Sequence, residues 1–352
     1  MNSTNNQTSP AQYMSKDQWL NYFGASYQSE AVKLYSRTPL ALLAVLLNLT
    51  CFLVFISKEF RNQPLYSYFR IFLLNSMVIE ALQATVSLFE TYTFFDFSNT
   101  YGSFFYYSYL YRPILSTAYF YGNVLDVLIT LERICQLNKK FTILKKASPL
   151  LLCFVSLVLC TIINIPFFMI NDFSYIDLKT SPTESFRLFY FRYSSFARSY
   201  LGKVFSYVVY AVRDVLTLIA QVVLGTILVM LVKGYSNRRK RLFNLSSSPA
   251  TDVPSLNSET TKPSKNIENR KKNSKLDRKV TLMVVFMCFF SSVEHLVVLV
   301  STVYFYYIVN SFGYILALTA DYVIIIKSLS NFFFFFFFNK VFRDKLKSFL
   351  KI

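Results

Sequence analysis

Among the ionisable side chains that stand inside or at the edges of otherwise apolar stretches of this chain are Glu80, Asp126, Arg213, Asp214, Glu294, His295, Asp321 and Lys327. In hydrocarbon such a group is unfavourable by roughly 2.5–3.5 kcal/mol on insertion scales, so it turns toward a protein interior and finds a partner. The chemistry open to these residues is ion pairing, proton or ion passage, and recognition of a ligand carrying both signs of charge. Covalent catalysis is not indicated. There is no Gly-x-Ser-x-Gly elbow, no phosphate-binding loop and no His-rich set, so no catalytic residues are expected and the chain reads as a non-enzyme. One histidine and five cysteines set in apolar runs give no zinc site, and neither a metal nor a cofactor is expected.

These residues must be positioned by membrane helices. The chain has 352 residues, 54% of them hydrophobic, and a mean hydropathy of +0.37. Seven apolar runs are long enough to cross a bilayer, at about 20 residues each. They fall at about 39–57, 66–89, 109–137, 149–170, 201–232, 280–308 and 312–338. The net charge of +18 collects in every second gap. Lys58 and Arg61 follow the first run, Lys139, Lys140, Lys145 and Lys146 the third, and Arg238, Arg239, Lys240 and Arg241 the fifth. Lys340, Arg343, Lys345 and Lys347 follow the seventh. Basic loops stay in the cytoplasm, so the pattern predicts an odd number of crossings with the N-terminus outside and the C-terminus inside. The fold class expected is an all-α membrane protein, a seven-transmembrane helix bundle. With no soluble body to carry a basic face, nucleic-acid binding is excluded as a reading.

The flanking segments follow from composition. Residues 1–38 are polar, with no cleavable signal peptide, and form an extracellular segment in which Asn2 and Asn6 begin glycosylation sequons. Residues 233–279 are rich in Ser, Asn, Pro, Thr and Lys and predict a disordered basic cytoplasmic loop. In 339–352, Val341, Phe342, Leu346, Phe349 and Leu350 share one helical face with Lys and Arg opposite. That is a short amphipathic eighth helix lying on anionic membrane lipids.

Short motifs at the helix ends narrow the class. Asn48 lies midway in the first run, Leu73-Leu-Asn-Ser-Met-Val-Ile-Glu80 in the second, and Leu131-Glu-Arg-Ile134 ends the third. Ser330-Asn-Phe-Phe-Phe-Phe335 ends the seventh, followed by Asn339-Lys-Val-Phe-Arg343. In order and placement these resemble the motifs of rhodopsin-like G-protein-coupled receptors, over residues 39 to 350, and look most like the divergent invertebrate peptide and chemosensory receptors. The chain departs from the family pattern at Ile134, Phe332 and Phe335. It has Cys288-Phe-Phe-Ser-Ser in helix six where the family has a Trp-x-Pro element, its one Trp is Trp19, and no Cys stands at the outer end of helix three.

The resemblance implies roles. Glu132, Arg133 and Asn331 would form the G-protein coupling switch. Asn48, Glu80, Asp126 and Lys327 would form an internal polar core, with a Glu80–Lys327 ion pair in place of a bound sodium ion. Arg112, Leu115, Arg213, Asp214, Glu294, His295 and Asp321 would line a ligand pocket. Leu115 stands where amine receptors of the family carry an acid, which favours a peptide over a small amine. The expectation is a multi-pass plasma-membrane receptor for a neuropeptide or chemosensory cue, a small molecule included, that partners a heterotrimeric G protein. The rival reading is a secondary transporter or ion channel using the buried charges as an ion path.

Overall fold

The computed structural model describes residues 33–61, 63–90, 100–138, 147–179, 185–246, 265–307 and 311–350. Asn2 and Asn6, and the basic residues 139–146, lie outside them. The chain is an all-α protein with seven helices long and apolar enough to cross a membrane. It is a multi-pass membrane protein. In this inside-out arrangement Leu42, Leu46, Leu49 and Leu53 of the first helix are exposed, as are Leu151, Phe154 and Val158 of the fourth, while Asn48, Glu80, Gln83, Asn164 and Gln221 are buried. Apolar side chains outside and polar ones inside is the arrangement a hydrocarbon solvent selects.

The helices are α1 (Thr38–Phe55), α2 (Pro64–Glu90), α3 (Arg112–Leu137) and α4 (Pro149–Asn164), then α5 (Thr217–Ser246), α6 (Lys265–Tyr307) and α7 (Ser311–Phe338), with α8 (Lys340–Leu350) last. Pro64 and Pro149 open α2 and α4, where a missing N–H leaves no intrahelical bond unmade. A helix Tyr101–Phe105 and a π-helical turn Tyr106–Tyr111 lead directly into α3. The wide turn lies immediately before Pro113, whose ring would otherwise meet the carbonyl four residues back. Tyr200–Tyr210 and a second π-helical turn, Ala211–Leu216, lead likewise into α5.

Two sequence expectations need correction, and a third segment gains structure. The segment 233–279 is not one disordered loop: α5 continues to Ser246 and α6 starts at Lys265. Its Lys- and Arg-rich composition reads as a solvated linker but also favours helix once an apolar helix has nucleated. Helix three begins at Tyr101 rather than about 109. The segment after α4, which the hydropathy pattern leaves only as a connection between the runs 149–170 and 201–232, carries an antiparallel hairpin of β1 (Asn171–Lys179) and β2 (Ser185–Tyr193). Its register sets Asp172 opposite Arg192 and Asp177 opposite Arg187 along the ladder.

The chain divides into two compact units. One comprises the described parts of Met1–Leu42, Ile79–Thr117 and Thr161–Val209, and the other Leu43–Val78, Ala118–Cys160 and Tyr210–Ile352. In the first, Phe173 of β1 packs edge-on to Tyr101 at 5.3 Å and lies against Phe104 and Tyr109, whose hydroxyl donates to Asp172 at 3.4 Å. The five cysteines are buried and none forms a disulfide, so ring contacts rather than a disulfide hold this hairpin. In the second, Phe55, Phe69 and Phe342 surround Phe335 at 4.8, 5.1 and 5.8 Å. Asn339 closes this cluster: its amide donates to the Tyr66 hydroxyl at 3.1 Å and its Oδ1 accepts from the Phe342 backbone, capping α8. Phe333 and Phe337 point outward, so the Phe332–Phe338 run is part core and part lipid-facing surface.

Candidate functional site

The interior of the second unit is built around Lys327 of α7. Its ammonium lies 2.9 Å from Asp126 Oδ2 on α3 and 3.1 Å from Glu294 Oε2 on α6, with the Phe72 ring 5.5 Å away. The expected Glu80–Lys327 pair is therefore corrected: the acids on Lys327 are Asp126 and Glu294. Glu80 is buried and belongs to the first unit. The resemblance places Asp126 in the internal polar core with Lys327 and assigns Glu294 to a ligand pocket. Three helices are tied at one ammonium instead.

From Asp126 a hydrogen-bond chain runs on. Ser291 Oγ donates to Asp126 Oδ2 at 2.5 Å, Gln221 Nε2 donates to Ser291 Oγ at 3.3 Å, and Gln221 Oε1 meets His295 Nδ1 at 2.7 Å. Ser291 and His295 are four residues apart, one turn on the same face of α6. The approach of α5 to α6 is close: a Cβ added at Gly225 would lie 2.9 Å from Cys288 Sγ. That small residue lets Gln221, one turn earlier, reach across. Gln221 and Ser291 were missed in the sequence because a neutral polar residue in an apolar helix is a weak signal. The spacing Cys288, Ser291, His295 was the available clue.

A second constellation lies at the end of α3. Arg133 Nε donates to Thr281 Oγ1 on α6 at 2.7 Å, and its Nη1 donates to Gln136 at 2.5 Å. Gln136 Nε2 in turn donates to Glu132 at 3.0 Å. Arg133 thus bridges α3 and α6 through a threonine that no motif announces. Asn48 of α1 donates to Ser328 of α7 at 2.8 Å, and Asn331 is buried with no partner for its Nδ2.

The remaining candidate pocket residues are described by the contacts each makes within its own unit. Arg213 and Asp214 satisfy each other, with Nε–Oδ1 and Nη2–Oδ2 both at 2.7 Å, and the Arg213 guanidinium stacks over Tyr210 at 5.0 Å. In the first unit Arg112 lies over the Tyr107 ring at 4.7 Å. Leu115 and Asp321 are part-exposed. At the surface, α8 is tethered by Lys345 to Glu59 at 2.9 Å, a contact that pulls the Glu59 carboxyl down to about 2. Among the described residues no group of His, Cys, Asp and Glu is placed to hold a metal. Compared with known proteins, the chain matches no family model, and no curated protein is similar enough in sequence to count as a match.

Proposed function

We propose that this protein is a plasma-membrane receptor, N-terminus outside, that binds an extracellular peptide or small-molecule cue and activates a heterotrimeric G protein. The observation that carries the reading is the Arg133–Thr281 bond. It joins the arginine of a Glu-Arg pair at the end of α3 to the adjoining stretch of α6. A restraint of this kind defines two conformers, one with the arginine bound to α6 and one with it free for a partner. A ligand shifts that balance only by its differential affinity for the two. The amphipathic α8 supplies a cationic face for anionic lipid beside the partner.

The test compares ligand-independent G-protein activation by the native chain, Thr281→Ala and Arg133→Ala at equal surface expression. Thr281→Ala raises basal signalling several-fold and Arg133→Ala abolishes it. The second reading, a transporter or channel, draws on the Lys327 charge cluster. It gains if no variant signals while the native chain carries a current that Lys327→Met removes.

A further inference from the structure

Hydrogen-bond directions in the interior chain determine which nitrogen of the histidine carries its hydrogen. Asp126 Oδ2 receives the Lys327 ammonium, so it acts as a carboxylate and only accepts. Ser291 must then donate its one hydroxyl hydrogen to Asp126, leaving Oγ to accept from the Gln221 NH2 group. That turns Gln221 Oε1 toward His295, and an amide oxygen only accepts. His295 therefore carries its hydrogen on Nδ1. Its other nitrogen, Nε2, is a bare lone pair, buried and without a partner, on a residue that is 5% exposed.

The charged groups acting on this imidazole are Asp126 of α3, Asp214 beside α5, Lys327 of α7 and Arg213 beside α5. Arg213 and Asp214 pair with each other, whereas the one Lys327 ammonium is shared by two carboxyl groups, Asp126 and Glu294 of α6. The imbalance therefore lies in the Asp126–Lys327–Glu294 cluster, two acids on one base in a buried setting, where an uncompensated charge is expensive. Ser291 and Gln221 are neutral and fully engaged, and Cys288 Sγ donates to the Gln221 carbonyl.

We propose that His295 is a reversible proton-binding site, in which Nε2 takes one proton from water and the buried Asp126–Lys327–Glu294 cluster becomes electroneutral. The lone pair becomes an N–H bond and the imidazole becomes an imidazolium. Every existing hydrogen bond of the chain survives, because Nδ1 keeps its hydrogen and still donates to Gln221. Proton occupancy thereby alters the charge at the point where α3, α5, α6 and α7 are tied. The inference stands independently of receptor or transporter activity.

His295 is the only histidine in the chain, which makes it a single-site probe. The experiment is 15N NMR of histidine-labelled full-length protein in nanodiscs, purified without a histidine tag and titrated with acid. The expected result is hydrogen on Nδ1 and a bare Nε2 at neutral pH, with Nε2 gaining one proton before the fold is lost. Glu294→Gln, which removes one acid without touching the hydrogen-bond chain, moves that midpoint about one pH unit lower, a tenfold loss of proton affinity. Hydrogen on Nε2 at neutral pH overturns the proposal. So does an imidazole that stays neutral until unfolding, or a midpoint indifferent to Glu294→Gln. Should Glu294→Gln not fold, the native titration alone decides between these outcomes.

Discussion

Two lysine–carboxylate contacts in the second unit have the same length and opposite settings. Lys327–Asp126 and Lys345–Glu59 both measure 2.9 Å. The first pair is 14% and 5% exposed, the second 38% and 46%. Distance therefore does not distinguish them; solvent does. At the surface, water and salt screen the attraction and each partner alone is well hydrated. In the interior, water is not the alternative partner, and Lys327 has only Glu294 besides Asp126, so the pair is better judged by what its loss leaves behind than by its own strength.

That contrast can be broken most severely at Asp126. Asp126→Ala leaves Lys327 with Glu294 alone and strips Ser291 of its acceptor. The expected loss is about 1–3 kcal/mol, the range for a buried polar group left without its partner, read as a lowered midpoint in thermal unfolding in detergent. The combined Lys327→Met, Asp126→Leu and Glu294→Leu protein recovers most of that stability, since it leaves no orphaned charge. If the triple variant is less stable than Asp126→Ala, the cluster is a net stabiliser and the comparison needs revision.

A smaller effect is expected where the surface pair meets the fold. Asn339→Ala removes the cap of α8 and the bond to Tyr66, for a loss of about 1 kcal/mol. Limited proteolysis should then release the tail faster while the rest of the bundle keeps its protection.

The smallest effect is at Glu59 itself. Glu59→Gln leaves thermal stability unchanged within error, and 0.5 M salt mimics it. Any contribution of the pair follows the carboxylate. Because Glu59 titrates lower in the folded protein than the ordinary value of 4.5, its contribution is fully present above that value. It falls away as pH drops from there through about 2. Chemical shifts of Lys345 across that window check the sign. An effect of Glu59→Gln as large as that of Asp126→Ala would mean that burial is not the deciding variable.

The periodic and compositional signals carried to the structure well. The seven spans, the amphipathic face of α8 and the burial of Asn48, Asp126, Glu294 and Lys327 follow from hydropathy and from the cost of charge in hydrocarbon, both properties of a sequence window. The hairpin did not carry over, because alternating Phe, Tyr and Arg in a short segment reads equally as loop until a pairing strand is found. The long α5 and α6 extensions did not either, since helix propagation from an apolar nucleus is a cooperative effect.

Partner choice lies beyond what a window holds. Sequence determined that Lys327 must find an acid inside the protein. Only the tertiary structure decided that the acids are Asp126 and Glu294 and not Glu80. Likewise the Glu-Arg pair marked Arg133 as a residue to follow, but only the packing of α6 supplied Thr281 as its partner. The physical reason is shared: insertion energy is a property of each helix alone, whereas an ion pair depends on rotation and depth of two helices at once. Those are set by close approaches such as Gly225 against Cys288, which no single helix encodes.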